Sequence, residues 1–237
     1  MDLGIAGKVA LVTAASKGLG RGAARALAAE GVRVAVNARK PERLAATVGE
    51  LPGEALALPD DVTDPDAPAR LVEATLERFG GLDILVANAA GPPPSRALEI
   101  DDDALRAAVE ANMLTSIRLV RAAVEPMRRA GWGRIVLLTS ITVKQPIPTL
   151  AGSNAARAGL WGWAKTAAQD LVPDGITLNL LCPGLHATDR VKELGSPGRL
   201  GDPEDFGRVV AFLCSKAANF VSGTALQIDG AGTLGLL

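Results

Sequence analysis

Residues 13–22 read TAASKGLGRG, a stretch that combines two closely spaced glycines with hydroxyl-bearing side chains and the cation Lys17. Gly18 and Gly20 allow a tight turn in which successive backbone N–H groups face one point. A helix that begins there adds the positive end of its dipole, so the stretch suits a phosphate or pyrophosphate group. An ordinary strand-to-helix turn is the alternative interpretation of the same residues.

Such a loop needs a strand before it and a helix after it, and the surrounding pattern predicts both. Residues 8–13 predict a buried strand, and residues 19–31 predict a helix that ends at Gly31. The same alternation continues along the whole chain. Further strands are predicted over 32–37, 54–59, 82–87, 134–139, 176–182 and 225–229, and further helices near 41–50, 65–79, 101–130, 150–171 and 203–216.

This alternation predicts an α/β fold. Nearly continuous apolar strands separated by helices are typical of a doubly wound, Rossmann-type parallel sheet, here of about seven strands with helices on both faces. The chain has 237 residues, of which 48% are hydrophobic, and no linker or internal repeat divides its sequence. We therefore predict a single domain over residues 1–237. In such a sheet, ligands bind outside the carboxyl ends of the strands.

The composition argues against several classes of function. A net charge of −1 lacks the clustered excess of Lys and Arg that is typical of nucleic-acid binding, so no nucleic-acid partner is expected. No apolar run approaches the ~20 residues of a membrane span, and the N-terminus lacks the basic start of a secretory signal. We expect a cytoplasmic protein with no membrane contact. Cys182 and Cys214 form no CxxC pair and the chain has one histidine, which predicts free thiols and no metal site.

Over residues 8–232 the chain resembles the short-chain dehydrogenase/reductase family, especially its 3-oxoacyl-[acyl-carrier-protein]-reductase-like members. The family's TGxxxGxG loop is matched at Thr13, Gly18 and Gly20, but Ala14 replaces the first glycine. A methyl group at that position is strained if the turn requires a positive φ. The resemblance implies an oxidoreductase that transfers a hydride between a nicotinamide cofactor and a small carbonyl or alcohol substrate. It also implies a homodimer or a homotetramer.

Three further segments resemble parts of the family that contact the cofactor. DDVTD resembles the adenine-contacting segment, LVANAAG resembles a strand end beside the cofactor, and NLLCPGLHAT resembles the segment along the nicotinamide. The loop over 185–198 is expected to form a short substrate lid. By resemblance and position, the candidate cofactor-binding residues are Thr13, Ser16, Lys17, Gly18, Leu19, Gly20, Arg39, Asp61, Val62, Asn88, Ala89, Ala90, Arg157, Pro183, Gly184 and Thr188.

Basic residues near the second strand indicate which nicotinamide cofactor fits. Arg39 and Lys40 follow that strand, and Lys17 lies in the glycine-rich loop. A cofactor with a free ribose 2′-hydroxyl favours an Asp or Glu after the second strand, where this chain has neither. Basic groups suit a 2′-phosphate through charge-assisted hydrogen bonds. NADP(H) is therefore the favoured cofactor and NAD(H) the alternative, while solvated surface charges are the other interpretation of Arg39 and Lys40.

The family reduces carbonyl groups or oxidises alcohols with an Asn, a Ser, a Tyr and a Lys. The serine hydroxyl holds the substrate oxygen, the tyrosine passes the proton, and the lysine binds the nicotinamide ribose and lowers the tyrosine pKa. Asn112 in EANMLTS and Ser140 in IVLLTSIT match the first two residues. The Tyr and Lys positions hold Ser153 and Arg157, and the chain contains no tyrosine. The candidate catalytic residues are therefore Asn112, Ser140, Ser153 and Arg157.

The two replacements leave proton transfer without its usual donor. A serine hydroxyl is a much weaker acid than a tyrosine, whose pKa is about 10. Arg157 stays charged at every relevant pH and so cannot donate a proton. Because Arg157 lies one helical turn after Ser153, it can still hydrogen-bond ribose hydroxyls.

Three interpretations of the proton route remain open. In the first, a water chain anchored by Ser140, Ser153 and Asn112 delivers the proton. In the second, Lys144 with a lowered pKa, or His186, serves as the acid from a loop expected to border the cleft. In the third, no turnover occurs, and the chain is a catalytically silent NADP(H)-binding protein that acts as a sensor or a partner subunit.

Overall fold

Seven strands form one sheet within residues 2–189, 191 and 199–235, the part of the chain that the computed structural model describes. The strands are β1 Val9–Val12, β2 Arg33–Ala38, β3 Ala55–Pro59, β4 Ile84–Ala87, β5 Gly133–Leu138, β6 Ile176–Pro183 and β7 Ala225–Ile228. Their order is β3-β2-β1-β4-β5-β6-β7, and every neighbouring pair is parallel. The order changes direction between β1 and β4, and ligands of doubly wound sheets bind at such a point, outside the carboxyl ends of the strands.

Helices cover both faces of this sheet. They are α1 Gly18–Ala29, α2 Pro41–Glu50, α3 Ala67–Phe79, α4 Asp102–Val109, α5 Thr115–Ala130, α6 Ala151–Leu171 and α7 Pro203–Leu213. The helices α3, α5 and α6 pack on one face around Leu71, Leu119 and Leu160. On the other face, α1, α2 and α7 pack around Leu44 and Phe206. The predicted Rossmann-type α/β fold is confirmed, and β1, β4 and β5 are buried along their whole lengths, as expected for strands covered on both sides.

The helix predicted over 101–130 is interrupted in the structure. After α4, residues Glu110–Leu114 form a π-helical turn, and α5 begins at Thr115. The backbone N–H of Thr115 donates to the carbonyl of Glu110, and the Thr115 hydroxyl donates to the same oxygen at 3.0 Å. Such a turn adds one residue without ending the helix, so the sequence pattern alone predicts a continuous element. π-turns are frequent at functional sites, and this one carries Asn112.

Helix α1 is fixed in place by a close contact with α7. A Cβ atom on Gly22 would lie 2.2 Å from the carbonyl oxygen of Pro203, and one on Gly207 would lie 2.2 Å from the carbonyl oxygen of Gly22. Only glycine lets the two backbones approach this closely. Because the glycine-rich loop leads directly into α1, the contact also fixes the orientation of the helix N-terminus.

Both cysteines are buried free thiols, as the sequence predicts. Burial raises the pKa of Cys182, and it raises the pKa of Cys214 to about 12. Such thiols behave as small apolar side chains.

None of the described helices is both long enough and apolar enough to cross a bilayer.

Candidate functional site

Hydrogen bonds to the ends of two neighbouring strands hold the loop between β1 and α1. The hydroxyl of Thr13 donates to the carbonyl of Asn88 at 2.7 Å and accepts from the backbone N–H of Asn88 at 2.8 Å. The Asn88 side-chain amide donates to the carbonyl of Ala14 at 3.3 Å. Thr13 is fully buried. Its hydroxyl therefore joins the ends of β1 and β4 and holds the start of the loop in place.

Asn37, which the sequence analysis did not single out, supports the same loop from the other side. Its Nδ2 donates to the carbonyls of Leu58 and Asp60, both at 3.0 Å, and its backbone carbonyl accepts from Ala15 N at 2.9 Å. The side chain is 1% exposed. The sequence carries one signal for this role: Asn37 is a polar residue near the end of an otherwise apolar strand. A buried amide there needs several hydrogen-bond partners.

The loop has the shape and the donors that a pyrophosphate requires. Gly18 has a φ of +57°, and a Cβ atom on Gly20 would lie 2.7 Å from the carbonyl oxygen of Ala14 and 2.9 Å from Asn88 Nδ2. Lys17, the N-cap of α1, makes no side-chain hydrogen bond to the first turn of the helix. The first N–H groups of α1 are thus left for a ligand, and the residues present fit an anionic group at this position.

Ala14 adopts a left-handed backbone conformation with a φ of 48°. The methyl group that replaces the family's glycine is therefore strained. Replacing Ala14 by glycine is expected to raise the free energy of unfolding by about 0.5–1 kcal/mol, because removal of left-handed strain exceeds the entropy that glycine loses on folding. Urea denaturation measures this change.

The control for that substitution is Ala15→Gly. Ala15 is fully buried and is absent from the residues with positive φ, so its replacement is expected to lower the free energy of unfolding. A loss of stability in the Ala14→Gly variant would contradict the strain described for this loop.

The residues predicted at the adenosine end of the cofactor lie together. Arg39 Nη1 is 3.9 Å from Asp61 Oδ2, and both side chains are exposed. Asp61 Oδ1 accepts hydrogen bonds from the backbone N–H and the hydroxyl of Thr63, and these bonds, with Arg39 nearby, hold the pKa of Asp61 below its usual value. Lys17 is exposed at the start of α1, whereas Val62 is buried against the core.

The remaining predicted cofactor residues border the glycine-rich loop or follow β4 and β6. A Cβ atom on Gly18 would lie 3.3 Å from Thr188 Cγ2, which places Thr188 against the loop. Pro183 ends β6, and the N–H of Gly184 donates to the carbonyl of Ile228 at 3.0 Å. The rest are Ser16 and Leu19, which are partly buried beside the loop, and Ala89 and Ala90, which follow Asn88 after β4.

Three of the four predicted catalytic residues form one hydrogen-bonded cluster around Arg157. Its Nε donates to Ser153 Oγ at 3.1 Å, its Nη1 to the carbonyl of Leu138 at 3.3 Å, and its Nη2 to Asn112 Oδ1 at 2.8 Å. Asn112, Ser153 and Arg157 are 2%, 5% and 7% exposed. The guanidinium thus joins the π-turn, the start of α6 and the end of β5.

Ser140 lies two residues beyond Leu138, so the cluster also adjoins the fourth predicted catalytic residue. Ser140 Oγ accepts from the backbone N–H of Thr142 at 3.2 Å, which starts the 3₁₀ turn Ile141–Val143. Within the described residues, neither Ser140 nor Ser153 has a protein acceptor for its hydroxyl proton. Each hydroxyl can therefore donate to a substrate oxygen.

The two other acids considered from the sequence each contact an aromatic ring. His186 is 4% exposed; its Nδ1 lies 3.1 Å from the carbonyl oxygen of Gly184, and its ring packs edge-on against Phe206. Lys144 Nζ lies 4.2 Å from the ring centroid of Trp161. The predicted lid over 185–198 is described only in part, since 190 and 192–198 lie outside the described residues.

Comparisons with known proteins show which family and fold the chain resembles. The family model described as enoyl-(acyl carrier protein) reductase matches residues 13–233. The human dehydrogenase/reductase SDR family member 4 is 33% identical over 243 residues, covering 95% of this chain and 87% of that protein.

Two solved structures extend the likeness to the whole fold. L-sorbose reductase from Gluconobacter frateurii, complexed with NADPH and L-sorbose, has a TM-score of 0.91 and 31% identity over 99% of this chain and 100% of that one. A 7α-hydroxysteroid dehydrogenase, complexed with NADH and 7-oxo glycochenodeoxycholic acid, has a TM-score of 0.93 and 29% identity over 100% of this chain and 98% of that one.

Proposed function

The chain belongs to the short-chain dehydrogenase/reductase family, and on that premise we propose that it transfers a hydride between NADP(H) and a small carbonyl or alcohol substrate by an altered proton route. The observation that carries the proposal is the cluster in which Arg157 holds Asn112 and Ser153 beside the end of β5. It holds the hydroxyl donor Ser153 beside the end of β5, and Ser140, two residues beyond Leu138, would supply a second donor at the edge of the sheet where a substrate binds.

Each part of the cofactor has a set of residues suited to it. The N–H groups of the β1–α1 loop, from Gly18 to Gly20, would hold the pyrophosphate, and Arg39 would hold the 2′-phosphate. Asp61 and Val62 would border the adenine. The nicotinamide end would lie against Asn88, Ala89, Ala90, Pro183, Gly184 and Thr188. The cofactor, when bound, supplies or accepts the hydride.

The protein's contribution to the chemistry is to hold the substrate oxygen. Ser153 Oγ accepts from Arg157 Nε, so the serine proton is directed away from the guanidinium and would be donated to the substrate oxygen. A hydroxyl that accepts from a cation is a stronger donor than an isolated one. Ser140 would supply the second hydrogen bond, and together the two hydroxyls stabilise negative charge as it develops on that oxygen.

Arg157 has a positioning role in this proposal. Three of its N–H groups donate to protein acceptors, two of which belong to the Asn112–Ser153 pair. Because a guanidinium does not release a proton at neutral pH, the proton needs another route to the substrate. We propose a water chain anchored by Ser140, Ser153 and Asn112 as that route.

The preference for NADP(H) is proposed from Arg39. Replacing Arg39 by alanine is expected to weaken NADPH binding by about tenfold, equivalent to about 1.4 kcal/mol, and to leave NADH binding unchanged, because only NADPH carries a 2′-phosphate. Fluorescence titration of each cofactor measures both effects. The matched control is Arg129→Ala, since Arg129 is an exposed arginine on α5 paired with Glu125. Equal losses for the two cofactors would contradict the assignment.

We propose a homodimer or a homotetramer, supported by the exposed apolar side chains Phe212, Phe220 and Leu226 around the edge strand β7.

We also propose a cytoplasmic location, supported by two unpaired thiols, which are usual in a reducing compartment. One domain over residues 1–237 is supported by the single sheet of the described residues.

The test of the proposed function is a panel of aldehydes and ketones watched at the nicotinamide absorbance with NADPH present. Turnover that falls about 10-fold or more in Ser140→Ala supports the proposal, since one oxyanion donor is worth about 10²–10³-fold. NADPH binding without turnover of any carbonyl, alcohol or enone would instead support a catalytically silent binding protein.

A double variant, Ser153→Tyr with Arg157→Lys, restores the family's usual pair. It is expected to raise carbonyl reduction by about 100-fold, because a positioned general acid contributes about 10²–10⁴-fold. The single variant Arg157→Lys is the control, since it restores the lysine without the acid. A double variant no faster than this control on every substrate would contradict the geometry proposed for Ser153.

A further inference from the structure

The one histidine of the chain is buried next to the proposed cofactor site, and the proposed mechanism does not use it. His186 is 4% exposed, and its Nδ1 lies 3.1 Å from the carbonyl oxygen of Gly184. Because a carbonyl oxygen only accepts hydrogen bonds, Nδ1 carries the proton of this bond. The imidazole also packs edge-on against the ring of Phe206, with the two ring centroids 5.3 Å apart. One directional bond and one ring contact therefore fix the imidazole.

The backbone of Gly201 closes a further side of the imidazole. Where the chain returns after β6, the N–H of Ala187 donates to the carbonyl of Gly201 at 2.8 Å, and the N–H of Gly201 donates to the carbonyl of Leu185 at 2.9 Å. A Cβ atom on Gly201 would lie 2.6 Å from His186 Cδ2 and 2.7 Å from its Nε2. A side chain at position 201 would collide with the ring, so the imidazole packs directly on the glycine backbone.

Two residues after His186, the chain reaches the glycine-rich loop. We call residues 184–188 the β6 connection. The N–H of Thr188 donates to the carbonyl of His186 at 2.7 Å, and a Cβ atom on Gly18 would lie 3.3 Å from Thr188 Cγ2. The methyl group of Thr188 thus faces the loop at the start of α1. His186 is the one buried residue of the β6 connection, so its contacts determine where the connection lies.

Phe206 attaches the imidazole to the helix pair that carries the same loop. Phe206 is fully buried on α7, and the next residue, Gly207, makes the close backbone contact with Gly22 of α1. Helix α1 begins at the glycine-rich loop. The contact between the imidazole and Phe206 therefore joins the β6 connection to α7 and, through α7, to α1. The loop and Thr188, which are proposed to contact the same cofactor, are held by one packed unit.

We propose that His186 is a positioning residue for the nicotinamide cofactor, because its imidazole holds Thr188 against the glycine-rich loop. The proposal rests on the proposed function, since it concerns the cofactor site of that function. In this role His186 transfers no proton. It acts through Thr188 and determines how closely the β6 connection approaches the bound dinucleotide.

The physical reason is the cost of ordering the cleft. A ligand that enters a preformed site does not have to immobilise the protein around it, so its affinity is higher. Without the bond from Nδ1 to Gly184, the β6 connection is held less firmly and can move away from Gly18. Cofactor binding would then have to order it. The pyrophosphate and the nicotinamide are the same in NADPH and NADH, so the loss is expected to be equal for both, unlike the loss expected for Arg39→Ala.

The test compares two substitutions that each keep one part of the imidazole's contacts. His186→Leu keeps an apolar contact with Phe206 but removes the donor to Gly184. It is expected to weaken the binding of NADPH and of NADH by about 10-fold or more, as the loss of one buried hydrogen bond does. His186→Asn restores an N–H donor near the position of Nδ1 and is expected to bind NADPH more tightly than His186→Leu. Fluorescence titration measures each affinity, and circular dichroism verifies that each variant is folded.

A control variant separates positioning from a general loss of stability. Thr75 is fully buried on α3, on the other face of the sheet from α1 and α7, and its hydroxyl donates to the carbonyl of Leu71 at 2.7 Å. Thr75→Val removes one buried hydrogen bond, and it is expected to lower the free energy of unfolding without changing cofactor affinity.

A double variant tests whether His186 acts through Thr188. We expect His186→Leu to weaken NADPH binding less in a Thr188→Ala background than in the wild-type protein, because the effects of residues that act through one another are not additive. Additive losses would overturn the inference, since they would show that His186 affects the cofactor independently of Thr188.

The remaining outcomes distinguish the inference from the proposed function. If the wild-type protein binds NADPH and His186→Leu binds it equally well, or if His186→Asn is no better than His186→Leu, the inference is overturned and the proposed function stands. If the wild-type protein binds neither cofactor, the proposed function is overturned and the inference with it.

A second variant serves if His186→Leu folds poorly. Gly201→Ala leaves the histidine in place but puts a methyl group where the imidazole lies, and Gly201 is absent from the residues with positive φ, so its backbone accepts alanine. The displaced imidazole is expected to weaken NADPH binding by about 10-fold. Wild-type affinity in Gly201→Ala would overturn the inference.

Discussion

Arg157→Met is expected to lower the free energy of unfolding by about 3 kcal/mol or more. The guanidinium satisfies Asn112 Oδ1, Ser153 Oγ and the carbonyl of Leu138 in a buried place, and each buried polar group left without a partner costs about 1–3 kcal/mol. Methionine fills much of the same volume but donates no hydrogen bond. Urea denaturation followed by circular dichroism measures the loss.

The matched control for Arg157→Met is Arg208→Met. Arg208 lies on α7, its side chain is 74% exposed, and in the part of the chain that the structure describes it pairs only with Asp205, one turn away. Its replacement is expected to change the free energy of unfolding by less than about 0.5 kcal/mol, as is usual for surface substitutions. A loss below about 1 kcal/mol in Arg157→Met would contradict the three buried hydrogen bonds that Arg157 donates to Asn112, Ser153 and Leu138.

Gly20→Val is expected to weaken NADPH binding by about 10-fold or more. Even the first side-chain carbon would lie 2.7 Å from the carbonyl oxygen of Ala14 and 2.9 Å from Asn88 Nδ2. The loop must then move, overpacking costs about 1–3 kcal/mol, and 1.4 kcal/mol corresponds to tenfold in affinity. Fluorescence titration with NADPH measures the change.

A second glycine provides the comparison for Gly20→Val. Gly49 lies in α2, and a Cβ atom there would meet nothing within 4 Å. Gly49→Ala is expected to leave NADPH affinity unchanged and to stabilise the protein by up to about 1 kcal/mol, because alanine is the better helix former. If Gly20→Val kept full affinity, the β1–α1 loop would not be the pyrophosphate site.

The sequence predicts the sheet and the glycine-rich loop because both depend on local patterns. Apolar runs separated by segments of helical periodicity are enough to predict the fold. The position of Gly18 and Gly20 between a strand and a helix is enough to predict the loop. The sequence also predicts that Ala14 is strained if its φ is positive, and the structure shows that its φ is positive.

The partners of the site residues depend on contacts between distant segments, and the sequence did not predict them. Nothing local indicates that Arg157 reaches Asn112, 45 positions away, and the carbonyl of Leu138. The π-turn leaves the helical pattern of the sequence intact, so the sequence alone does not reveal it. His186, considered as an acid, is buried against Phe206, because the chain pairs it with a segment that follows the predicted lid.

The measurement that tests the central claim most directly is a titration of the purified protein with NADPH and, in parallel, with NADH, followed by nicotinamide fluorescence. We expect saturable binding at one site per chain, with NADPH bound more tightly than NADH. Absence of binding for both cofactors would contradict the assignment of the β1–α1 loop as a dinucleotide site, and the proposals for Ser140, Ser153 and Arg157 would fall with it.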